Sequence, residues 1–219
     1  MLVGHYGVAL LVKRLEPRLN LGLLFGAAML QDLVLWGLVL YGVENVHSPA
    51  DYSHGRFLTF DFPYSHGLLA SLLWALMAGS GGAWFALGNL RARTFLLLAA
   101  AVFSHFLLDV LVHVPEIPLF GQQSRKLGFG LWKHLPLAIS LELVLATCAS
   151  IIYLRSPEPT AKRVVIGMMM TLLAVLTASQ LWASQPPSST QVAVSSLFLI
   201  LTTCGIGVWV DRHSNGEKT

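Results

Sequence analysis

Apolar residues run along this chain in membrane-length blocks separated by short polar connections. A span needs roughly 20 apolar residues. Six segments reach that length: 21–43, 66–88, 95–114, 135–154, 164–184 and 191–210. Residues 1–15 are also apolar and predicted helical, but they are short for a span. Tilt, or partial insertion into a bundle, accommodates such a segment. No polar stretch is long enough to fold as an aqueous domain. The pattern predicts an all-α, polytopic transmembrane helix bundle with six full spans plus a short N-terminal membrane-embedded helix. Residues 1–154 hold every unusual polar residue, 155–210 form two spans that read as scaffold or a homodimer surface, and 211–219 read as a disordered tail.

Composition agrees. The 219 residues are 55% hydrophobic and only 11% charged, against about 25% charged in soluble domains. Mean hydropathy is +0.66. The net charge of +3 comes from Lys and Arg scattered through short connections, which points to membrane topology and not to nucleic-acid binding. Cys148 and Cys204 sit in apolar runs without a CxxC spacing, so they predict neither a disulfide framework nor a thiolate zinc site. At the N-terminus the apolar stretch precedes Lys13, Arg14 and Arg18. That order is the reverse of a secretory signal, so the segment is expected to belong to the mature protein.

The positive-inside rule orients the spans. Lys13, Arg14 and Arg18, then Arg91 and Arg93, then Arg155, Lys162 and Arg163, and finally Arg212 and Lys218 fall on one side if the six spans alternate. That side, with the C-terminus, is predicted cytoplasmic. Arg125, Lys126 and Lys133 land on the outer side against the rule, where they suit an anionic substrate.

Ionisable residues inside the apolar blocks are the candidate chemistry. Each costs about 2.5–3.5 kcal/mol in hydrocarbon even on a lenient scale. In SHFLLDVLVH, His105, Asp109 and His113 are spaced by four, which puts all three on nearly one helix face. Asp32 lies mid-span, and His66 opens a span. The alternating topology brings these residues into the outer half of the bilayer, and His5 joins them if residues 1–15 enter from outside. His and Asp together suit zinc, manganese or iron. His5 sits in GHYG, whose Gly4 and Gly7 permit close helix approach.

The connections add further candidates. In DFPYSHG, Pro63 suits the mouth of a helix. Asp61 is a helix cap or an acceptor fixing a histidine tautomer. Glu116, in the turn after His113, is a general base or an extra ligand. Glu142 is expected about two turns into its span, pairing with His134, Lys133 or Arg125. Trp132 is placed as an interfacial anchor. His54 and Asp51 read as solvated loop residues.

The order of these elements resembles the bacterial membrane-bound metal-dependent hydrolases, whose pattern runs GH, PDxD, THS and SHxxxD. The matching positions are Gly4–His5, Asp32, Ser65–His66, and Ser104–His105 with Asp109. Val34 replaces the second aspartate of PDxD and Gln31 its proline, and Phe62–Pro63–Tyr64 stand where Arg and His usually precede THS. Over its length the chain also resembles uncharacterised multi-spanning bacterial proteins sometimes labelled permeases, through FPYSH, SHFLLDVLVHVPEIPL and LGFGLW. The first resemblance implies a bacterial inner-membrane hydrolase. His5, Asp32, His66, His105, Asp109 and His113 would bind zinc or manganese. Asp61 or Glu116 would handle the proton. Arg125, Lys126, Lys133, Trp132 and Glu142 would hold a lipid-like or phosphorylated substrate at the outer face. Two other functions fit the same residues. One is a transporter with an intramembrane His/Asp relay, and the other is a non-catalytic protein with a structural metal or polar core.

Overall fold

Each apolar block is helical in the computed structural model, which describes residues 1–88 and 90–213. The helices are α1 (Val3–Leu15), α2 (Leu21–Ala28), α3 (Leu30–Leu40), α4 (Tyr52–Gly55), α5 (Leu68–Phe85), α6 (Leu90–Val112), α7 (Leu135–Leu154), α8 (Thr160–Ser179) and α9 (Ser189–His213). Five helices, α5 to α9, are long and apolar enough to cross a membrane. A sixth span exists if α2 and α3 count as one, bent by 58° at Met29. In place of the full span expected at 21–43 stand two helices that meet at a sharp bend, either a broken span or a re-entrant pair. In the five helices α5 to α9 at most 39% of the most apolar 18-residue stretch is buried inside the protein, and the outward faces carry large apolar residues such as Leu73, Met77, Met168 and Phe198. Apolar surface on that scale fits a lipid environment.

α1 solves its length problem by sitting inside the bundle. Its residues Val3 to Gly7 are all buried, and it packs against α2, α6, α7 and α8. Lipid does not drive helices together by the hydrophobic effect, so close backbone approach matters. At Gly7 a Cβ would lie 3.3 Å from the Ala149 side chain and 3.4 Å from the Ala146 backbone, tight contacts that glycine avoids. α5 and α6 form a hairpin, and α9 closes the other flank against α2 and α3.

The two ends of the bundle differ. At one end Lys13 of α1 donates to Asp211 Oδ2 of α9 at 2.8 Å, Lys162 of α8 pairs with Asp211 Oδ1, and Arg93 pairs with Glu16 at 3.0 Å. Cationic clusters that sequence assigned to one side thus gather at one end. α9 continues to His213, so the expected tail begins as helix, and residues 214–219 lie outside the described residues.

The opposite end is built from longer connections, and these contain strands that an all-α reading did not anticipate. β1 (Asn45–His47) pairs antiparallel with β2 (Thr59–Asp61), and β3 (Ile117–Pro118) with β4 (Lys126–Leu127). The KLGFG stretch after β4 folds back on α6: Phe129 N–H donates to the Val110 carbonyl at 2.8 Å and Gly130 N–H to the His113 carbonyl at 2.7 Å. Gly128 has φ +148, and a Cβ there would collide with the His113 and Val114 carbonyl oxygens. Only glycine fits, and the turn holds the last residues of α6 in place.

Candidate metal centre

Four elements meet at the longer-loop end. α1 contributes His5, the first turn of α3 contributes Asp32, the turn before α5 contributes His66, and α6 contributes His105, Asp109 and His113. All four histidines and Asp109 are buried. Asp109 is the hub. Its Oδ1 lies 3.2 Å from His5 Nε2, and its Oδ2 lies 3.3 Å from His105 Nε2, 3.4 Å from His66 Nε2 and 3.6 Å from His113 Nε2. Asp32 Oδ1 is 3.5 Å from His66 Nε2 and 3.7 Å from His105 Nε2. The His66 and His105 Nε2 atoms are 3.2 Å apart. The ring of His5 stacks on that of His105 with centroids 3.6 Å apart.

The far side of each ring fixes its tautomer. His105 Nδ1 faces the Ala28 carbonyl at 2.8 Å, at the helix break. A carbonyl only accepts, so Nδ1 carries the proton and donates. The Ser65 hydroxyl donates to Glu44 Oε2 at 2.7 Å, which leaves its oxygen to accept from His66 Nδ1–H at 2.8 Å. His113 Nδ1–H donates to Glu116 Oε1 at 2.6 Å. In their neutral forms all three imidazoles therefore turn bare Nε2 lone pairs toward one another and toward two carboxylates. The Met1 ammonium, 2.9 Å from Asp109 Oδ1, offsets part of the carboxylate charge at one edge, but the facing Nε2 lone pairs of His66, His105 and His113 still repel one another unless positive charge sits among them. A divalent ion supplies that charge to every donor at once, and backing of this kind is what orients metal-binding histidines.

Spacing is consistent with one coordination shell. Ligand atoms at ~2.0–2.1 Å from a tetrahedral zinc are about 3.3 Å apart, close to the 3.2 Å and 3.3 Å separations of His105 Nε2 from His66 Nε2 and Asp109 Oδ2. Two groups have donor atoms mutually close enough to share an ion: His5, His105 and Asp109, and Asp32, His66 and His105. His113 belongs to neither group and touches the cluster through Asp109.

A cavity of ≈330 Å³ borders the cluster. Asp32, His66, Asp109, His113 and Glu142 line its polar part, and Trp36, Phe60, Phe62, Trp132 and Leu199 are among its apolar walls. Trp132 stands 4.0 Å from the ring of His113, so it is a cavity wall as well as a span-end tryptophan. α9, expected as scaffold, contributes Val192, Ser196, Leu199 and Ile200.

The remaining expected residues sit differently. Glu116 has both oxygens occupied, Oε1 by His113 and Oε2 by the Phe60 N–H at 2.8 Å, so it orients a histidine and is not placed as a base. Asp61 is half-exposed on β2, paired with His47 at 2.9 Å and with Gln122, and it does not line the cavity. Glu142 Oε1 accepts the N–H groups of Leu2 and of Gly4, the latter at 3.2 Å, in place of the expected His134, Lys133 or Arg125. Arg125 and Lys133 are exposed. Lys126 Nζ is buried without a hydrogen-bond partner, near Asp61 and Glu116, and burial holds its ammonium below the usual lysine range. None of the three cations lines the cavity. Gln31, standing where the resembled family has proline, donates to the Val102 carbonyl at 3.1 Å and accepts from Ser71 Oγ at 3.2 Å, tying α3 to α6 and α5.

Two residues escaped sequence reasoning. Glu44 accepts from the N–H groups of Tyr64 and Ser65 at 2.8 and 3.0 Å as well as from Ser65 Oγ, so it shapes the turn that presents His66. Arg56 lines the cavity from a backbone with φ +56, the one non-glycine positive φ among the described residues. No protein-family model matches the chain, and no curated protein or solved structure does either. The likeness to metal-dependent hydrolases thus rests on the motif residues alone.

Proposed function

We propose that this protein is a membrane-embedded metal-dependent hydrolase acting on a lipid-like or phosphorylated substrate at the membrane–water interface. One observation carries the reading: the His/Asp cluster is backed by hydrogen bonds on its protein side and borders a cavity on the other. Structural metal sites are closed by protein ligands, whereas catalytic sites keep an open position. His5, Asp32, His66, His105 and Asp109 would hold the ion or ions, with zinc or manganese suited to mixed imidazole and carboxylate donors. A divalent ion bound there supplies Lewis acidity to a phosphoryl or acyl centre.

The chain's own residues supply the rest. Ser65, Glu44, Glu116 and the Ala28 carbonyl hold the imidazoles in one tautomer and orientation. Glu142 is the cavity-lining carboxylate outside the ligand groups, which makes it the proposed proton acceptor. The aromatic walls exclude water and receive an apolar chain. The gathering of cationic side chains at the opposite end supports an orientation with that end cytoplasmic and the cavity outward, in a bacterial inner membrane.

Detergent-purified protein is expected to cleave a short-chain phosphomonoester or acyl ester, to lose that activity on chelation, and to regain it with zinc or manganese. Cleavage that persists unchanged after complete metal removal would contradict the proposal.

A further inference from the structure

Two cations line the cavity: the Met1 ammonium, already paired with Asp109 at 2.9 Å, and Arg56, its one arginine or lysine. The other candidates for an anionic substrate, Arg125, Lys126 and Lys133, do not line it. Arg56 has no carboxylate partner: the ion pairs of lysine and arginine among the described residues engage Lys13, Arg93 and Lys162. Its one side-chain hydrogen bond runs from Nη1 to the Leu181 carbonyl, in the turn just after α8, and its Nε is buried with no hydrogen-bond partner. One Nη is thus held in place while Nε stays without a hydrogen-bond partner, on a side chain that lines the cavity. A buried unpaired donor on a permanent cation is costly to keep. The left-handed backbone at Arg56 adds local strain, and both features belong to positions where surrounding structure over-determines a residue for use.

The walls next to Arg56 define what accompanies the anion. Phe57 and Leu58 follow it in sequence, and Val192, Leu199 and Ile200 come from a helix apolar enough to span a bilayer. The polar floor with Asp32 and Asp109 lies in the same cavity. One pocket therefore offers a guanidinium, an apolar wall and a ligand cluster.

We propose that Arg56 is the specificity residue of this cavity, and that its ligand is an amphiphile bearing an oxyanion head, phosphate or carboxylate, on an apolar chain. The guanidinium fork takes two oxygens of the head in parallel hydrogen bonds, a geometry that a lysine ammonium does not reproduce. The chain lies against α9 and the aromatic wall. This deepens the hydrolase reading and rests on it for the identity of the site. Binding is nonetheless separable from turnover.

The test uses full-length protein in alkyl maltoside micelles and radiolabelled dodecylphosphonate, corrected for empty micelles. The probe has no ester bond to cleave, so it reports occupancy even where no hydrolysis occurs. Wild-type protein is expected to bind it about tenfold or more tighter than dodecan-1-ol. Arg56→Ala is expected to lose that preference while still binding dodecan-1-ol, and Arg155→Ala, exposed at the opposite end, to keep it. Arg56→Lys keeps the charge and is expected to fall between the two. Methylphosphonate at equal concentration is expected not to compete. Equal binding of phosphonate and alcohol by wild-type protein overturns the proposal, and that comparison stands even if Arg56→Ala does not fold. Undiminished phosphonate binding by a folded Arg56→Ala overturns the role of Arg56. Equal competition by methylphosphonate overturns the amphiphile in favour of a free oxyanion.

Discussion

Asp109→Asn is expected to abolish high-affinity metal binding while leaving the helix bundle folded. The substitution keeps the shape of the side chain and changes only its charge and one donor–acceptor face. Asp109 is the single side chain that approaches all four histidines, with Oδ1 near His5 and Oδ2 near His66, His105 and His113. An amide in its place turns an N–H toward some of those rings and removes the negative charge that offsets a divalent cation. Changes behind the ligands typically cost 10–100-fold in metal affinity, so loss of this central carboxylate should exceed about 100-fold. Chelator titration of zinc-loaded protein reads the affinity. Thermal unfolding supplies the control: wild-type protein should lose stability when stripped of metal, and Asp109→Asn should unfold at one temperature with or without chelator. Tight zinc binding by a folded Asp109→Asn would move the ion away from α6.

The second large effect lies at the other end of the bundle and concerns stability alone. Asp211 receives Lys13 and the Leu21 N–H on Oδ2, at 2.8 and 2.6 Å, and pairs with Lys162 through Oδ1. Its carboxylate ties α1, α2, α8 and α9 together, and the side chains of Lys13, Lys162 and Asp211 are all under 10% exposed. Removing one partner of a buried ion pair costs about 3–5 kcal/mol, because the other charge is left buried and uncompensated. Lys13 also donates to the Pro17 and Leu19 carbonyls, and Lys162 pairs with Glu158. Those contacts blunt the loss, so Asp211→Ala should destabilise by about 3 kcal/mol. Denaturant unfolding in detergent measures it. A change under about 0.5 kcal/mol, the usual range of a surface substitution, would show that the cluster is solvated in the bilayer. Metal affinity should not change, because the two ends share no ligand.

The sequence made the α6 stripe legible because helical periodicity alone sets His105, Asp109 and His113 on one face. Asp32 and His66 were legible through cost, since an ionisable group in an apolar block needs a partner. What sequence could not supply was the backing of each ring. The Ala28 carbonyl meets His105 where the helix breaks at Met29, and neither proline nor glycine marks that break. Glu44 reaches Ser65 across a connection whose fold depends on β1 and β2. Glu116 looked like a free base because only the loop structure reveals that Phe60 and His113 occupy both of its oxygens. Arg56 was passed over in a loop that reads as solvated. The burial of α1 did leave a sequence signal: residues 2–12 are apolar on nearly every side, the pattern of a helix surrounded by others. Its shortness obscured that signal. Lys13, Lys162 and Asp211 read as topology markers and a tail residue, although the structure pairs them.

The central claim is that positive charge at the His/Asp cluster comes from a bound ion, and elemental analysis of the purified wild-type protein tests it most directly. The account predicts one to two equivalents of a transition metal per chain after gel filtration, lost in Asp109→Asn. Wild-type protein that is folded, carries no transition metal and takes up none when offered zinc or manganese would contradict it.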